Sequence, residues 1–111
     1  MVKPETKFTW RPASVEEVRR IVEIELQSCC SAEAEIFKRH AIEPYFADLV
    51  RYGKRESAVV VARKQDSVLY WEDVEEGFVI SPISSDGLVL EHNCNQDTLG
   101  QAIRGWLEDA R

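Results

Sequence analysis

The stretch SAVVVARKQDSVLYWEDVEEGFVISPI, residues 57–83, decides the fold. It begins with a valine-rich run that is apolar on both alternating faces up to Arg63, which is typical of a central strand covered on at least one side. Gln65 and Asp66 make a tight connection to a second strand, and Gly77 allows the chain to enter a third. The spacing predicts an antiparallel meander with strands over residues 57–64, 67–72 and 78–83.

A fourth strand is predicted over residues 88–92. Asp86 and Gly87 precede it, and both residue types are favoured where a chain reverses direction. Pro82 cannot donate a hydrogen bond to a neighbouring strand, so we expect the third strand to lie at an edge or to contain a bulge.

Two helices are predicted before the sheet. Ser14 and Glu17 match a capping box, which places the first helix at about residues 14–28. Cys29 and Cys30, at its end, are interpreted as small buried apolar residues.

The second helix is predicted to start at Ser31. It cannot run far past Ile42, because Pro44 removes a backbone donor and forces the preceding residue away from helical angles. Residues 45–55 are expected to form a turn or an irregular connection. Residues 1–13, with Phe8 and Trp10, are expected to form an extended arm.

A closing helix is predicted to begin near Asn93 or Asn95, with Asp97 in its first turn, where a carboxylate complements the helix dipole. Gly100 and Gly105 lower helix propensity, so we expect close packing against the sheet at these positions. The apolar residues at helical spacing are Leu99, Ala102, Ile103, Trp106 and Leu107.

Together these elements predict a single α+β domain over residues 1–111. It consists of a four-stranded antiparallel sheet meander packed with two N-terminal helices and one C-terminal helix. A hydrophobic content of 44% is enough to fill a modest core in a chain of 111 residues.

The charge is distributed unevenly. Residues 1–64 carry 12 Lys/Arg and 10 Asp/Glu, a net +2, whereas residues 65–111 carry 2 and 10, a net −8; these sum to the overall −6. Such a field repels nucleic acid and anionic lipid and attracts basic partners. With neither a membrane-spanning run nor a signal peptide, we expect a cytoplasmic protein.

The peak of this charge is the turn after the second strand. Its carboxylates and flanking aromatic residues are Tyr70, Trp71, Glu72, Asp73, Glu75, Glu76 and Phe78. A solvated loop is one interpretation, and a calcium site is another, although the segment lacks the length and register of a calcium-binding loop. We favour a third: these residues bind a basic protein partner, with the aromatic residues as anchors.

Other chemistries have weaker patterns. His92 and Cys94 permit a thiol nucleophile in a small enzyme or ligand-binding module, and with Cys29 and Cys30 a zinc site, but no CxxC spacing appears. A basic cluster before the sheet allows self-association into a homo-oligomer instead; it comprises Arg51, Lys54, Arg55, Arg63 and Lys64. We expect no catalytic residue, no metal and no cofactor.

From about Tyr52 to Trp106, the runs YGKRESAVVVARK, LYWEDVEEGFVISP and LEHNCNQDTLGQAIRGWL resemble small bacterial immunity proteins of contact-dependent growth inhibition and polymorphic toxin systems. The resemblance implies a cytosolic protein that binds and blocks a toxin domain, often a basic nuclease. The residues that would carry this role are Tyr70, Trp71, Glu72, Asp73, Glu75 and Glu76.

Overall fold

A computed structural model describes residues 13–51, 53–73, 75–90 and 96–109, with the backbone only at residues 51 and 107–109. Its helices are α1 (Val15–Leu26), α2 (Ser31–His40) and α3 (Leu99–Asp109). Its strands are β1 (Ala41–Arg51), β2 (Lys54–Lys64), β3 (Ser67–Glu72), β4 (Gly77–Pro82) and β5 (Leu88–Val89). The α+β class is therefore confirmed, but the predicted four-stranded antiparallel sheet is wrong, because the sheet has five strands and is mixed.

The strand order is β4-β3-β2-β1-β5. The antiparallel pairings of β2 with β3 and of β3 with β4 confirm that part of the predicted meander. β1 also pairs antiparallel with β2, whereas the predicted fourth strand is observed as β5, which pairs parallel with β1. Pro82 ends β4, which lies at one end of this order as predicted, although its carbonyl is paired with the Leu90 N–H.

The strand that the sequence did not predict is β1. Its pairing with β2 shifts between Ala41, which faces Ala62, and Tyr45, which faces Val60. Four residues of advance along β1 therefore match only two along β2, so β1 contains a bulge, and Pro44 lies in it. A bulge is where a strand accommodates a residue without a backbone donor, so the proline bends β1 without ending it.

The sheet curls until its two ends meet. Ile83, directly after β4, forms an antiparallel bridge with Val89 of β5, and the Leu90 N–H donates to the Pro82 carbonyl at 3.0 Å. The concave side, which we call the inner face, is filled by the sheet's own side chains: Ala47, Leu49, Ala58, Val60, Val68, Tyr70, Val79, Ile83 and Val89.

The opposite side, which we call the outer face, carries the helices. Side chains of β2, β3 and β4 pack there against Val18 and Val22 of α1, Ile36 and Phe37 of α2, and the apolar stripe of α3. The apolar residues of these two clusters are thus removed from water, which is the main term favouring this fold.

The predicted capping box of α1 is confirmed. The Ser14 N–H donates to Glu17 Oε1 at 2.7 Å and the Glu17 N–H donates to Ser14 Oγ at 3.1 Å. The expected start of α3 near Asn93 or Asn95 is wrong, because residues 96–98 are not helical and α3 begins at Leu99. Thr98 caps it by accepting from the Gln101 N–H at 3.2 Å.

An ion pair joins α2 to α3. Arg104 Nε donates to Glu33 Oε2 at 2.8 Å, and the Glu33 side chain is only 7% exposed. A Cβ on Gly100 would lie 2.7 Å from Glu33 Oε1, whereas one on Gly105 would lie 3.4 Å from Ile80 Cδ1. The expected close packing against the sheet therefore holds for Gly105, while Gly100 makes room for Glu33 of α2.

Candidate functional site

The acidic turn connects β3 to β4. The Glu72 side chain is buried at its base, and its Oε1 accepts a hydrogen bond from the Glu75 N–H at 2.7 Å. Glu76 has a φ of 60°, the left-handed conformation, which allows the chain to reverse before Gly77. Glu75 and Glu76 are exposed, so two of the four predicted carboxylates project into solvent.

The aromatic residues beside this turn do not project outward. Tyr70 and Phe78 have no exposed surface, and Trp71 is 7% exposed. Tyr70 belongs to the inner face, whereas Trp71 and Phe78 pack edge to face on the outer face with ring centroids 5.1 Å apart. Strand alternation directs all three side chains into the core, and their role as partner-binding anchors stays a prediction.

Asp73 links the turn to the start of α1. Its Oδ1 accepts hydrogen bonds from the Ala13 N–H at 3.0 Å and from Trp71 Nε1 at 2.9 Å. Burial raises the pKa of the Asp73 carboxyl above its ordinary value, and the carboxylates of Glu72 and Glu17 raise it further, although the two hydrogen bonds oppose the shift.

Acidic residues from three parts of the chain lie beside this turn. The Glu17 carboxylate of α1 raises the pKa of Asp73, and the backbone carbonyl of Asp97, in the segment before α3, accepts the Phe78 N–H at 2.9 Å. Glu75 Oε1 accepts from Gln96 Nε2 at 3.1 Å. We call Glu17, Asp73, Glu75, Glu76 and Asp97 the acidic end.

Sequence reasoning missed Glu17 and Asp97 as members of the acidic end. It assigned both to helix starts, and their approach to the turn depends on tertiary packing. The sequence indicated only that Glu17 and Asp97 lie at the starts of amphipathic helices, both of which pack on the same sheet.

Five arginine side chains in the described ranges form ion pairs away from the acidic end. Ion pairs join Arg19 to Glu43 and Glu16, Arg39 to Glu35, Arg55 to Asp48, Arg63 to Asp66, and Arg104 to Glu33. Among the residues that the structure describes, no Lys or Arg forms an ion pair with Asp73, Glu75 or Glu76. The predicted basic cluster is also divided, because Lys54 and Arg55 begin β2 whereas Arg63 and Lys64 end it.

A groove of about 630 Å³ lies at the opposite end of the sheet, lined in part by Lys64, Ser67 and Trp106. Trp106 Nε1 donates to Ser67 Oγ at 3.0 Å, and Lys64 Nζ donates to the Trp106 carbonyl at 3.2 Å. The polar groups of these residues thus hold α3 against the β2–β3 connection.

The predicted thiol site at His92 and Cys94 lies outside the described residues. Cys29 is partly buried against the core and Cys30 is exposed, so the interpretation of both as buried is wrong for Cys30. Burial raises the pKa of the Cys29 thiol, with Glu33 adding to the effect, which lowers the fraction of reactive thiolate.

Over the described ranges, no three His, Cys, Asp or Glu side chains are grouped so as to hold a metal ion. Nor does any helix there combine the length and the apolar character needed to span a bilayer. Comparison of the chain with models of protein families, with curated proteins and with solved structures gave no match.

Proposed function

We propose that this chain is a binding protein that engages a positively charged protein through its acidic end, in the manner of an immunity protein that blocks a basic, nuclease-like toxin domain. The observation that carries the proposal is the grouping of carboxylates from α1 and the β3–β4 turn, next to which the backbone of Asp97 pairs with the start of β4. Holding like charges together costs folding free energy, and a cationic partner relieves that cost.

The acidic end is also held in place before any partner arrives. Glu72 fixes the backbone of the turn through the Glu75 N–H, Gln96 holds the Glu75 carboxylate, and Asp73 is fixed by Ala13 and Trp71. Groups that are already ordered lose less conformational entropy on binding, so this arrangement favours recognition.

The proposal assigns the chain no catalytic residue and no cofactor, and it places the protein in the cytoplasm, where an immunity protein of this kind acts. Electrostatic attraction at the acidic end would speed association and oppose partners with a negative surface. Binding should therefore weaken as salt concentration rises.

The experiment that tests the proposal pairs this chain with the C-terminal domain of a large secreted protein encoded in the adjacent reading frame. Co-expression should restore growth of cells that produce that domain. The variant Glu75→Lys/Glu76→Lys should lose protection and bind about 10- to 100-fold more weakly by calorimetry, because two exposed carboxylates become repulsive.

The matched control is Glu35→Lys, which reverses an exposed carboxylate on α2. It should protect as well as the unmodified chain. Full protection by the Glu75→Lys/Glu76→Lys variant, with circular dichroism showing a folded protein, would show that the acidic end is not the binding surface.

A further inference from the structure

Three apolar side chains at one corner of the sheet are exposed to solvent. Phe46 is 51% exposed, Val50 is 40% exposed and Leu90 is 50% exposed. Phe46 and Val50 belong to β1, and Leu90 directly follows β5, which pairs with β1. We call these three residues the apolar patch.

The apolar patch lies on the outer face. Phe46 pairs with Val59, which pairs with Trp71, and both partners belong to the outer-face core; directly paired residues point to the same side. Val50 follows Phe46 by an even number of residues, so it shares this side. Leu90 follows Val89, which is buried on the inner face, so strand alternation places Leu90 outside as well.

The apolar patch lies close to the acidic end. Phe46 is two strands from Trp71 along their shared row, a distance of about 10 Å. Trp71 Nε1 in turn donates to Asp73 at 2.9 Å. A partner segment that covers the patch therefore reaches the carboxylates within a few residues.

The charges around the apolar patch select its occupant. Asp48 lies between Phe46 and Val50 on the same side of β1 and pairs with Arg55 at 2.9 Å. The carboxylates of Asp73, Glu75 and Glu76 begin about two strands away. A second copy of this chain would bring its own acidic end within roughly 10 Å, one Debye length at 0.1 M salt, so like charges oppose self-association here.

We propose that the apolar patch and the acidic end form one docking surface for an extended basic segment of a partner protein, in which an aromatic side chain is flanked by Lys or Arg. This inference rests on the proposed function and specifies the partner's chemistry. The aromatic side chain packs among Phe46, Val50 and Leu90, and the flanking cations meet Asp73, Glu75 and Glu76.

Three synthetic peptides test the proposal against the ¹⁵N-labelled protein by NMR titration. The first has one tryptophan flanked on each side by two lysines, the second has serine in place of tryptophan, and the third has glutamates in place of the lysines. We expect the first to shift the amide signals of residues 46, 50, 73, 75, 76 and 90. It should bind about tenfold more tightly than the second, and the third should not bind.

Two variants distinguish the apolar contribution from the charge. Phe46→Ser should reduce the affinity for the tryptophan peptide about tenfold and leave the serine peptide unaffected. The matched control is Ile24→Ser, because Ile24 is an exposed apolar residue of α1 at 59%. That control should bind both peptides normally.

Equal binding of the tryptophan and serine peptides would overturn the inference. If Glu75→Lys/Glu76→Lys still abolished that binding, the proposed function would stand without the apolar patch. A dimer in sedimentation velocity that Phe46→Ser dissociates would also overturn the inference, since the patch would then be a contact between copies of this chain.

Discussion

Asp73 shows how much one side chain can connect at the residue scale. Its Oδ1 accepts from the backbone of Ala13 and from the ring of Trp71, so it ties the start of α1 to the end of β3. Its charge is also part of the acidic end. The sequence predicted its place in the turn and its acidity but not its two donors, because neither is set by local spacing.

Asp73→Ala should lower the free energy of unfolding by about 1–2 kcal/mol, because two donors lose their acceptor. Asp73→Asn keeps an acceptor oxygen and should lose less. Urea denaturation of both variants measures the difference. A smaller loss for alanine than for asparagine would contradict the assigned hydrogen bonds.

The same side chain predicts a pH dependence. Since the pKa of Asp73 is raised in the folded protein, folded chains hold its proton more strongly than unfolded ones. Its contribution to stability is therefore greatest below the ordinary carboxyl pKa and falls as pH rises through the raised value. Subtracting the unfolding free energies of Asp73→Asn from those of the unmodified chain between pH 3 and pH 7 should show this decline.

His40 predicts the opposite trend. Burial lowers the pKa of its imidazole, and Lys64 and Arg39 lower it further, while the ring packs edge-on against Trp106 with centroids 5.6 Å apart. Unfolded chains therefore bind this proton more strongly, so stability is lost as pH falls through the ordinary imidazole pKa. His40→Gln should show a smaller drop in melting temperature between pH 7 and pH 5 than the unmodified chain.

At the scale of elements, the sequence predicted the helices and strands whose ends are set by nearby residues. The Ser14–Glu17 box, the helix start at Ser31 and the strands on either side of Gln65 and Asp66 follow from caps, turns and alternation. β1 did not follow, because Pro44 is an ordinary sign of a break and its bulge needs β2 as a partner. The burial of Tyr70, Trp71 and Phe78 was missed because both faces of β3 and β4 are covered.

α2 and α3 supply a paired test. Gly→Ala within a helix normally stabilises by about 1 kcal/mol. Gly105→Ala should approach that gain, since its Cβ would contact only the end of the Ile80 side chain. Gly100→Ala should instead destabilise by about 1–3 kcal/mol, because its Cβ would meet the buried Glu33 carboxylate, which Arg104 holds in place. Thermal unfolding of the two variants compares them directly, and equal gains would show that Glu33 can move aside.

At the scale of the whole molecule, the structure shows where the negative charge counted in the sequence is located. Its acidic part is concentrated where β3 turns into β4, and α1 contributes Glu17 to the same end. The sequence indicated that this region is negatively charged, but it did not indicate that the apolar patch lies nearby. That proximity depends on β1, which was not predicted, and on the pairing of β5 with β1.

The closure of the sheet is itself testable. The Ser84 N–H donates to the Leu88 carbonyl at 2.9 Å, and the Leu90 N–H donates to the Pro82 carbonyl at 3.0 Å, on either side of the bridge between Ile83 and Val89. Both amides should therefore exchange with deuterium far more slowly than the exposed amide of Gly53 in the β1–β2 connection. Exchange of both at the rate of an open loop would show that the sheet does not close.

The parallel pairing of β1 with β5 also has a consequence for the order of folding. Asp48 and Leu88, which face each other, are forty positions apart, whereas β2, β3 and β4 are joined by short hairpins. Closing a long loop costs more chain entropy before it gains contacts, so the hairpins should be formed in the transition state and the β1–β5 pairing should come later. The substitution Val89→Ala should accordingly speed unfolding and leave the refolding rate nearly unchanged.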